Sequence, residues 1–229
     1  EQSMETTLYN LSQLLIEPTV GMVNFTGSFG GWLQRQSDPK IYDTGATSAQ
    51  MLASRNIFDG DTPQPIKEFY KTLNKAMLDN PFFNTDLTPK LNLWGREIER
   101  KQTLPLSPFR ISEEKYNVVD DAMLKYGIGI TMPAGTIKGI KLSSDEYYEY
   151  ILAVNKDDEF LEAMKDLVQK ESFKNLLNVD KSKELNALKA IYVDEGKRIF
   201  LASPKGRTIL TMAEKAKDAE EKRINSRGN

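Results

Sequence analysis

Four prolines, Pro81, Pro89, Pro105 and Pro108, fall inside residues 80–111. Each removes a helical donor and pushes the residue before it out of the helical region, so no long helix crosses that stretch. Within it lies Leu91-Asn92-Leu93-Trp94-Gly95-Arg96-Glu97-Ile98, an apolar segment with no helix period that carries one of the chain's two tryptophans. A structureless connection of this length is uncommon in a compact domain, and usually functions or lies along a partner. The chain is 39% hydrophobic and 28% charged, the composition of an ordered protein, so this segment must order against something.

Cysteine and histidine are both absent. The first absence excludes disulfides and thiolate chemistry. The second removes the commonest general base and metal ligand, and with it Ser-His-Asp and Cys-His triads. A zinc site has almost no ligands to draw on. Carboxylates, Lys, Ser and Tyr remain for catalysis. No apolar run approaches the ~18 residues that span a bilayer. No basic segment followed by an apolar one marks a signal peptide at the N-terminus. The first residue is Glu1, which suggests a processed product or an excerpt of something longer.

Met4, Leu8, Leu11 and Leu15 recur at helical spacing up to Pro18. The Gly-rich apolar stretch 21–31 has room for a short helix opening near Ser28. Thr47 and Gln50 have capping-box spacing, predicting a helix over about 47–56. A clear helix follows over 63–79, with Thr62 to cap it, Pro63 at its first position and a face of Ile66, Phe69, Tyr70, Leu73 and Met77. Ser112, with Glu113 and Glu114, starts another that bears Val119, Met123 and Tyr126 and ends at Gly127. Residues 127–142 read as a loop or a small hairpin.

From Ser143 the pattern is helical almost without break. Ser143-x-x-Glu146 is a capping box ahead of Tyr147, Tyr148, Ile151 and Leu152. Asn155 divides this helix from one bearing Phe160, Leu161, Met164, Leu167 and Val168. Asp157, Asp158 and Glu159 suit that helix's first turn. A third runs from about Lys181 to Ala202 with Leu185, Leu188, Tyr192 and Ile199. Ser203-Pro204-Lys205-Gly206 breaks it, and a last helix reaches about Asn225, losing its apolar face after Ala216.

Net charge is −2, which argues against a dedicated nucleic-acid surface. The charge is uneven, however: residues 197–229 carry +5 and the remainder −7. Lys205, Arg207, Lys215, Lys217, Lys222 and Arg223 are therefore the candidate nucleic-acid contacts. The plainer reading is a solvated helix with pairs such as Asp218–Lys222 and Lys217–Glu221.

Motifs for chemistry are thin. Ser-x-x-Lys occurs at Ser37–Lys40 and Ser112–Lys115, but Pro39 interrupts one and a helix cap explains the other. Gly127-x-Gly129 lacks the third glycine and the following Lys of phosphate loops. Asp59-Gly60-Asp61 lacks the remaining positions of a calcium loop. Asn10-Leu11-Ser12 and Asn24-Phe25-Thr26 fit glycosylation sequons without a secretory signal. Phe25, Phe29, Trp32, Phe82, Phe83, Leu93 and Trp94 lie in the least periodic parts of the chain. They are either core anchors for extended backbone or hot spots that dock into another subunit.

Several local patterns occur in a recognisable order. Phe25-Thr26-Gly27-Ser28-Phe29-Gly30-Gly31 leads into Ser37-Asp38-Pro39-Lys40-Ile41-Tyr42-Asp43. Leu91 to Ile98 follows, then Leu106-Ser107-Pro108. Ile137-Lys138-Gly139-Ile140-Lys141-Leu142-Ser143 then precedes Asp145-Glu146-Tyr147-Tyr148-Glu149-Tyr150. Over roughly residues 20–200 this order resembles a large polyvalent protein-associated domain, class thirty-eight, of phage and mobile-element proteins. The resemblance implies a segment near the C-terminal end of a very large phage protein, packaged in the virion and delivered with the genome. It transfers no catalytic residue to any position of this sequence.

The expected fold is mainly α, an irregular helical assembly with long extended connections and room for one small β-hairpin. Residues 1–111 form an irregular docking region and 112–229 a helical region with a basic C-terminal helix. The resemblance implies a non-catalytic structural or docking segment of an internal virion (ejection) protein; no cofactor is expected, and no small-molecule ligand is evident in the sequence. Its implied partners are portal or ejection proteins and copies of itself, with weak contact to packaged DNA. Its implied location is the capsid interior, then the host envelope or cytoplasm. Two alternatives stand beside it: an accessory domain of a virion-packaged enzyme such as an RNA polymerase, and a nucleic-acid-binding module using the basic final helix.

Overall fold

A computed structural model describes residues 40–57, 61–78, 87–99 and 117–227. The expected helices at 4–15 and near Ser28 lie outside the described residues, as do Ser37–Lys40's serine and the Asp59-Gly60 turn. The described residues are mainly helical, with one two-stranded antiparallel sheet. In chain order the helices are α1 (Ser48–Ile57), α2 (Gln64–Leu78), α3 (Val118–Tyr126), α4 (Ser144–Val154), α5 (Glu159–Gln169), α6 (Glu171–Lys174), α7 (Asn178–Ala202) and α8 (Pro204–Arg227). The strands are β1 (Thr136–Ile137) and β2 (Ile140–Lys141).

Several boundaries follow the expected local chemistry. Thr47 Oγ1 accepts from the Gln50 amide and Gln50 Oε1 from the Thr47 amide, a reciprocal cap for α1. Gly127 ends α3 in the left-handed conformation, φ 63°. The hairpin turns at Lys138 and Gly139, both at positive φ, as a two-residue turn matched to strand twist requires.

Other boundaries differ. The helix expected from Ser112 begins at Val118: Asn117 is extended and its side chain accepts from the amides of Val119 and Asp120, a cap placed five residues later. Thr62 does not cap α2; its hydroxyl is buried against that of Ser54, 3.0 Å away. Asp157 and Asp158 are not in a helical first turn but in a short left-handed turn ahead of α5, at φ 54° and 59°. The break before α8 narrows to Ser203, because Pro204 needs no donor at a helix's first position.

The main apolar core joins α3 to α8. Phe160, Met164, Phe173, Leu185, Phe200 and Ile209 are buried completely or nearly so. On α7 the inward residue is Phe200, whereas Ile199 is 37% exposed. The tight α4–α7 crossing depends on Gly196: a Cβ there would come within 2.5 Å of the Val154 Cα.

The described part of the Pro-punctuated segment, residues 87–99, orders against this same core. Residues 88–98 fold back on themselves, with Ile98 N donating to Lys90 O at 2.9 Å and Asn92 N to Arg96 O at 2.8 Å. Residues 40–43 pair alongside, Ile41 N donating to Ile98 O and Lys90 N to Ile41 O. The Asn92 side chain accepts from the amides of Trp94 and Arg96 and holds the bend. That bend lowers Trp94 onto Phe160, ring centroids 5.5 Å apart, with Tyr192 on the Phe160 ring's other contact at 5.4 Å. Gly95 has φ 70°, and a Cβ there would meet Asn155 Cβ at 2.8 Å, so glycine is required on both counts.

Candidate functional site

The densest polar chemistry lies where the N-terminal end of α4 meets α1, α2 and α8. It begins with the expected capping box: Ser143 N donates to Glu146 Oε2 at 2.7 Å, and Glu146 N donates to Ser143 Oγ at 3.3 Å. Glu146 does more than cap. Arg55 of α1 donates to both its oxygens, at 2.5 and 2.9 Å, and the two side chains are 4% and 1% exposed. A two-pronged guanidinium–carboxylate pair of this kind fixes orientation as well as charge.

Asp145 gathers the neighbouring elements. It accepts from the Ser48 amide at 2.7 Å, from the Ser48 hydroxyl and from the Ser143 hydroxyl. Lys205, at the start of α8, reaches Asp145 at 2.8 Å and Glu149 at 2.7 Å. Burial opposes the Asp145 charge, but the Lys205 ammonium and the two serines outweigh it and hold the carboxyl well below its usual range. Burial likewise opposes the charge on Lys205, and its two carboxylate partners shift it upward.

A second buried node ties α2 to the same place. The Asn74 amide donates to Gly45 O at 2.8 Å and exchanges hydrogen bonds with the Gln50 side chain. Beside these nodes opens a cleft of about 410 Å³, walled by residues 43–46, one face of α2, Lys90, the end of the hairpin and Tyr147. The Tyr147 hydroxyl donates to Pro133 O, and burial first, then Tyr150 and Asp43, push it up to about 12. Tyr148 and Tyr150 are also raised, chiefly by burial.

The sites expected from sequence distribute as follows. Phe25, Phe29, Trp32, Phe82 and Phe83 lie outside the described residues. Trp94 is 5% exposed and its Nε1 donates to Asp120, so it anchors this chain's own core and presents no ring to a partner. Leu93 is half-buried against that core. Lys205 is not a free nucleic-acid contact, since Asp145 and Glu149 occupy it. Lys217 lies 3.8 Å from Glu221, Lys215 and Lys222 are exposed on turns that also carry acids, and Arg207 is exposed on the first turns, which carry none. The Arg223 side chain lies outside the described set. Basic residues of α8 thus do not segregate onto one face.

Sequence reading missed Arg55, Asn74 and Asp145. Glu146 was legible as a cap, but nothing in the spacing of a ten-residue helix announces that its arginine crosses to it. No group of three or more acids among the described residues is placed to hold a metal ion, and no helix among them is long and apolar enough to cross a membrane. No family model, curated protein or solved structure matches the chain.

Proposed function

We propose that this chain is a non-catalytic docking segment of a phage internal virion protein, carried in the capsid and delivered to the host with the genome. Its partners are portal or ejection proteins or copies of itself. The order of motifs shared with the large polyvalent protein-associated domain motivates the phage setting. The observation that carries the docking role is an exposed apolar corner. Leu124, Leu177 and Val179 are 68%, 75% and 67% exposed. The Asn178 side chain, between the last two, donates to Tyr126 O at 2.8 Å, which brings the start of α7 against the end of α3. Large apolar side chains exposed at the two helix ends that this hydrogen bond joins favour a contact surface over a solvated one.

The ionisable groups favour a structural role too. Each resolved shift moves a group away from neutrality: Asp145 down, and Lys205, Tyr147, Tyr148 and Tyr150 up. A general acid or base works best with a pKa near the operating pH, and these groups move the other way.

The test is made in particles produced by the genome that encodes the chain. A photo-crosslinking residue at Leu177 should join the chain to another virion protein, and Leu177→Asp with Val179→Asp should reduce its incorporation. Absence of the chain from purified particles by mass spectrometry would end this reading.

A further inference from the structure

The cleft beside the polar junction has an electrostatic character that the junction does not use. Among the described residues, Lys67 and Lys71 of α2, Lys90 and Lys141 line it, against Asp43 and Glu68. These four lysines come from three separate parts of the chain. Lys67 is occupied by Asp61 at 2.8 Å, and Lys71 only grazes Glu68 at 3.5 Å. The Lys90 and Lys141 side chains are exposed, and their ammonium groups make no ion pair or hydrogen bond among the described residues.

The acids are less available than the lysines. Asp43 accepts from the Gly45 amide, and Glu68 accepts from Gln64. The positive end of α4 borders the same space. The two acids of its first turn are committed elsewhere, Asp145 to Ser48 and Lys205, and Glu146 to Arg55. The lining adds Ser144, 7% exposed, whose hydroxyl has no hydrogen-bond partner among the described residues. A buried polar group without a partner is costly and calls for an explanation.

We propose that this cleft binds a small ligand through a multiply charged phosphate, of the class of pyrophosphate or a nucleoside triphosphate. Three features select that class. Lysines act as point charges that suit phosphate, whereas carboxylate recognition favours the planar fork of arginine, and no arginine among the described residues lines the cleft. A volume of about 410 Å³ exceeds what a single phosphate fills and lies in the range of small-ligand pockets. Met51, Leu142 and the Tyr147 ring supply an apolar wall for a less polar portion of the ligand. The site has no glycine-rich phosphate motif, which is why sequence spacing does not reveal it. It is independent of the virion setting.

Isothermal titration of the 229-residue chain with pyrophosphate, with ATP and with a short single-stranded oligonucleotide, at one ionic strength, tests the assignment. Saturable binding of pyrophosphate or ATP is expected, weakened at least tenfold in Lys90→Ala/Lys141→Ala. The control Lys156→Ala/Lys170→Ala removes two exposed lysines away from the cleft and should bind as the unaltered chain does. Thermal melts of both variants establish that they fold. Ser144→Ala should weaken binding less than the double change. The proposal is overturned by no saturable binding, by equal loss in both double variants, or by full retention in the cleft variant. Binding of the oligonucleotide alone would also overturn it and assign the lysines to a nucleic-acid backbone.

Discussion

Residues 117–216 and the described residues before them are held together by different means. In the later region the fully buried side chains are apolar apart from Glu146, with Phe160, Phe173, Phe200, Leu185 and Ile209 at 2% exposure or less. In the earlier region Ala46, Met51 and Leu87 are buried, with Trp94 reaching into the later region's core, but Ser54, Arg55, Thr62 and Asn74 are buried as well. There the face of α2 that packs inward turns on an asparagine, and the α1–α4 contact turns on an ion pair. Apolar packing is non-directional and tolerates sliding, whereas hydrogen-bonded pairs fix register and orientation. One region is a core, and the other is a set of short segments pinned to it at defined points.

The sharpest way to break this distinction is to remove a pin. Arg55→Met leaves Glu146 buried without its counter-charge, which should cost about 3–5 kcal/mol in chemical denaturation. Arg55→Met combined with Glu146→Gln retains an acceptor for the Ser143 amide and removes the stranded charge. Much of the lost stability should return in that double variant. Simple additivity of the two changes would show that the pair does not act as a unit.

Asn74 is the next pin. Asn74→Ala removes the donor to Gly45 O and strands the Gln50 side chain, a cost of about 1–3 kcal/mol. Hydrogen exchange should show faster opening of the α1 and α2 amides, with those of α5 and α7 unchanged. Uniform acceleration across the chain would mean that the two regions open together.

Acid should separate the regions by a smaller margin. Asp145 is held ionised more strongly in the folded chain than in the unfolded one. Its contribution is complete above the ordinary carboxylate range and drains away as pH falls through that range toward its lowered folded value. Lys205 is shifted upward, so its contribution is complete below the ordinary lysine range and is lost only as pH rises beyond it. Urea midpoints between pH 6 and pH 3 should therefore fall less in Asp145→Asn than in the unaltered chain. An identical slope for both would remove Asp145 from the account.

How much of this was legible in sequence differs between the same two regions. The later helices were readable because Phe160, Leu161, Met164 and Val168 repeat with the helix period, and the Ser143 and Gly127 boundaries have local chemical causes. Ile199 and Phe200 are adjacent and both apolar, so the spacing does not tell which turns inward; Phe200, one turn on from the close approach at Gly196, is the one that does. The α1 cap at Thr47 and Gln50 was also readable. The pins were not: Arg55 and Glu146 are 91 positions apart, and Ser48 and Asp145 are 97 apart. Polar pairing over such separations leaves no periodic trace. The lysine-lined cleft shares that property, since Lys71, Lys90 and Lys141 meet only through the fold.

The finest comparison sets one leucine against another. Leu73 belongs to the apolar stripe that made α2 the clearest helix of the first half in sequence. Yet its whole stripe, Ile66, Phe69, Tyr70, Leu73 and Met77, is only half-buried, and Asn74 is the residue of α2 that is buried completely. Leu185 on α7 is 1% exposed. Truncating a buried leucine costs the transfer of its methyl groups plus the cavity left behind, about 2–5 kcal/mol, and Leu185→Ala should fall in that range. Leu73→Ala leaves no closed cavity, because solvent already reaches the site, so its cost should stay near about 1 kcal/mol. Both values come from urea denaturation of otherwise identical chains. A Leu73→Ala cost equal to that of Leu185→Ala would show that α2 is held by apolar burial after all. The division into an apolar core and a pinned polar region would then fail at α2.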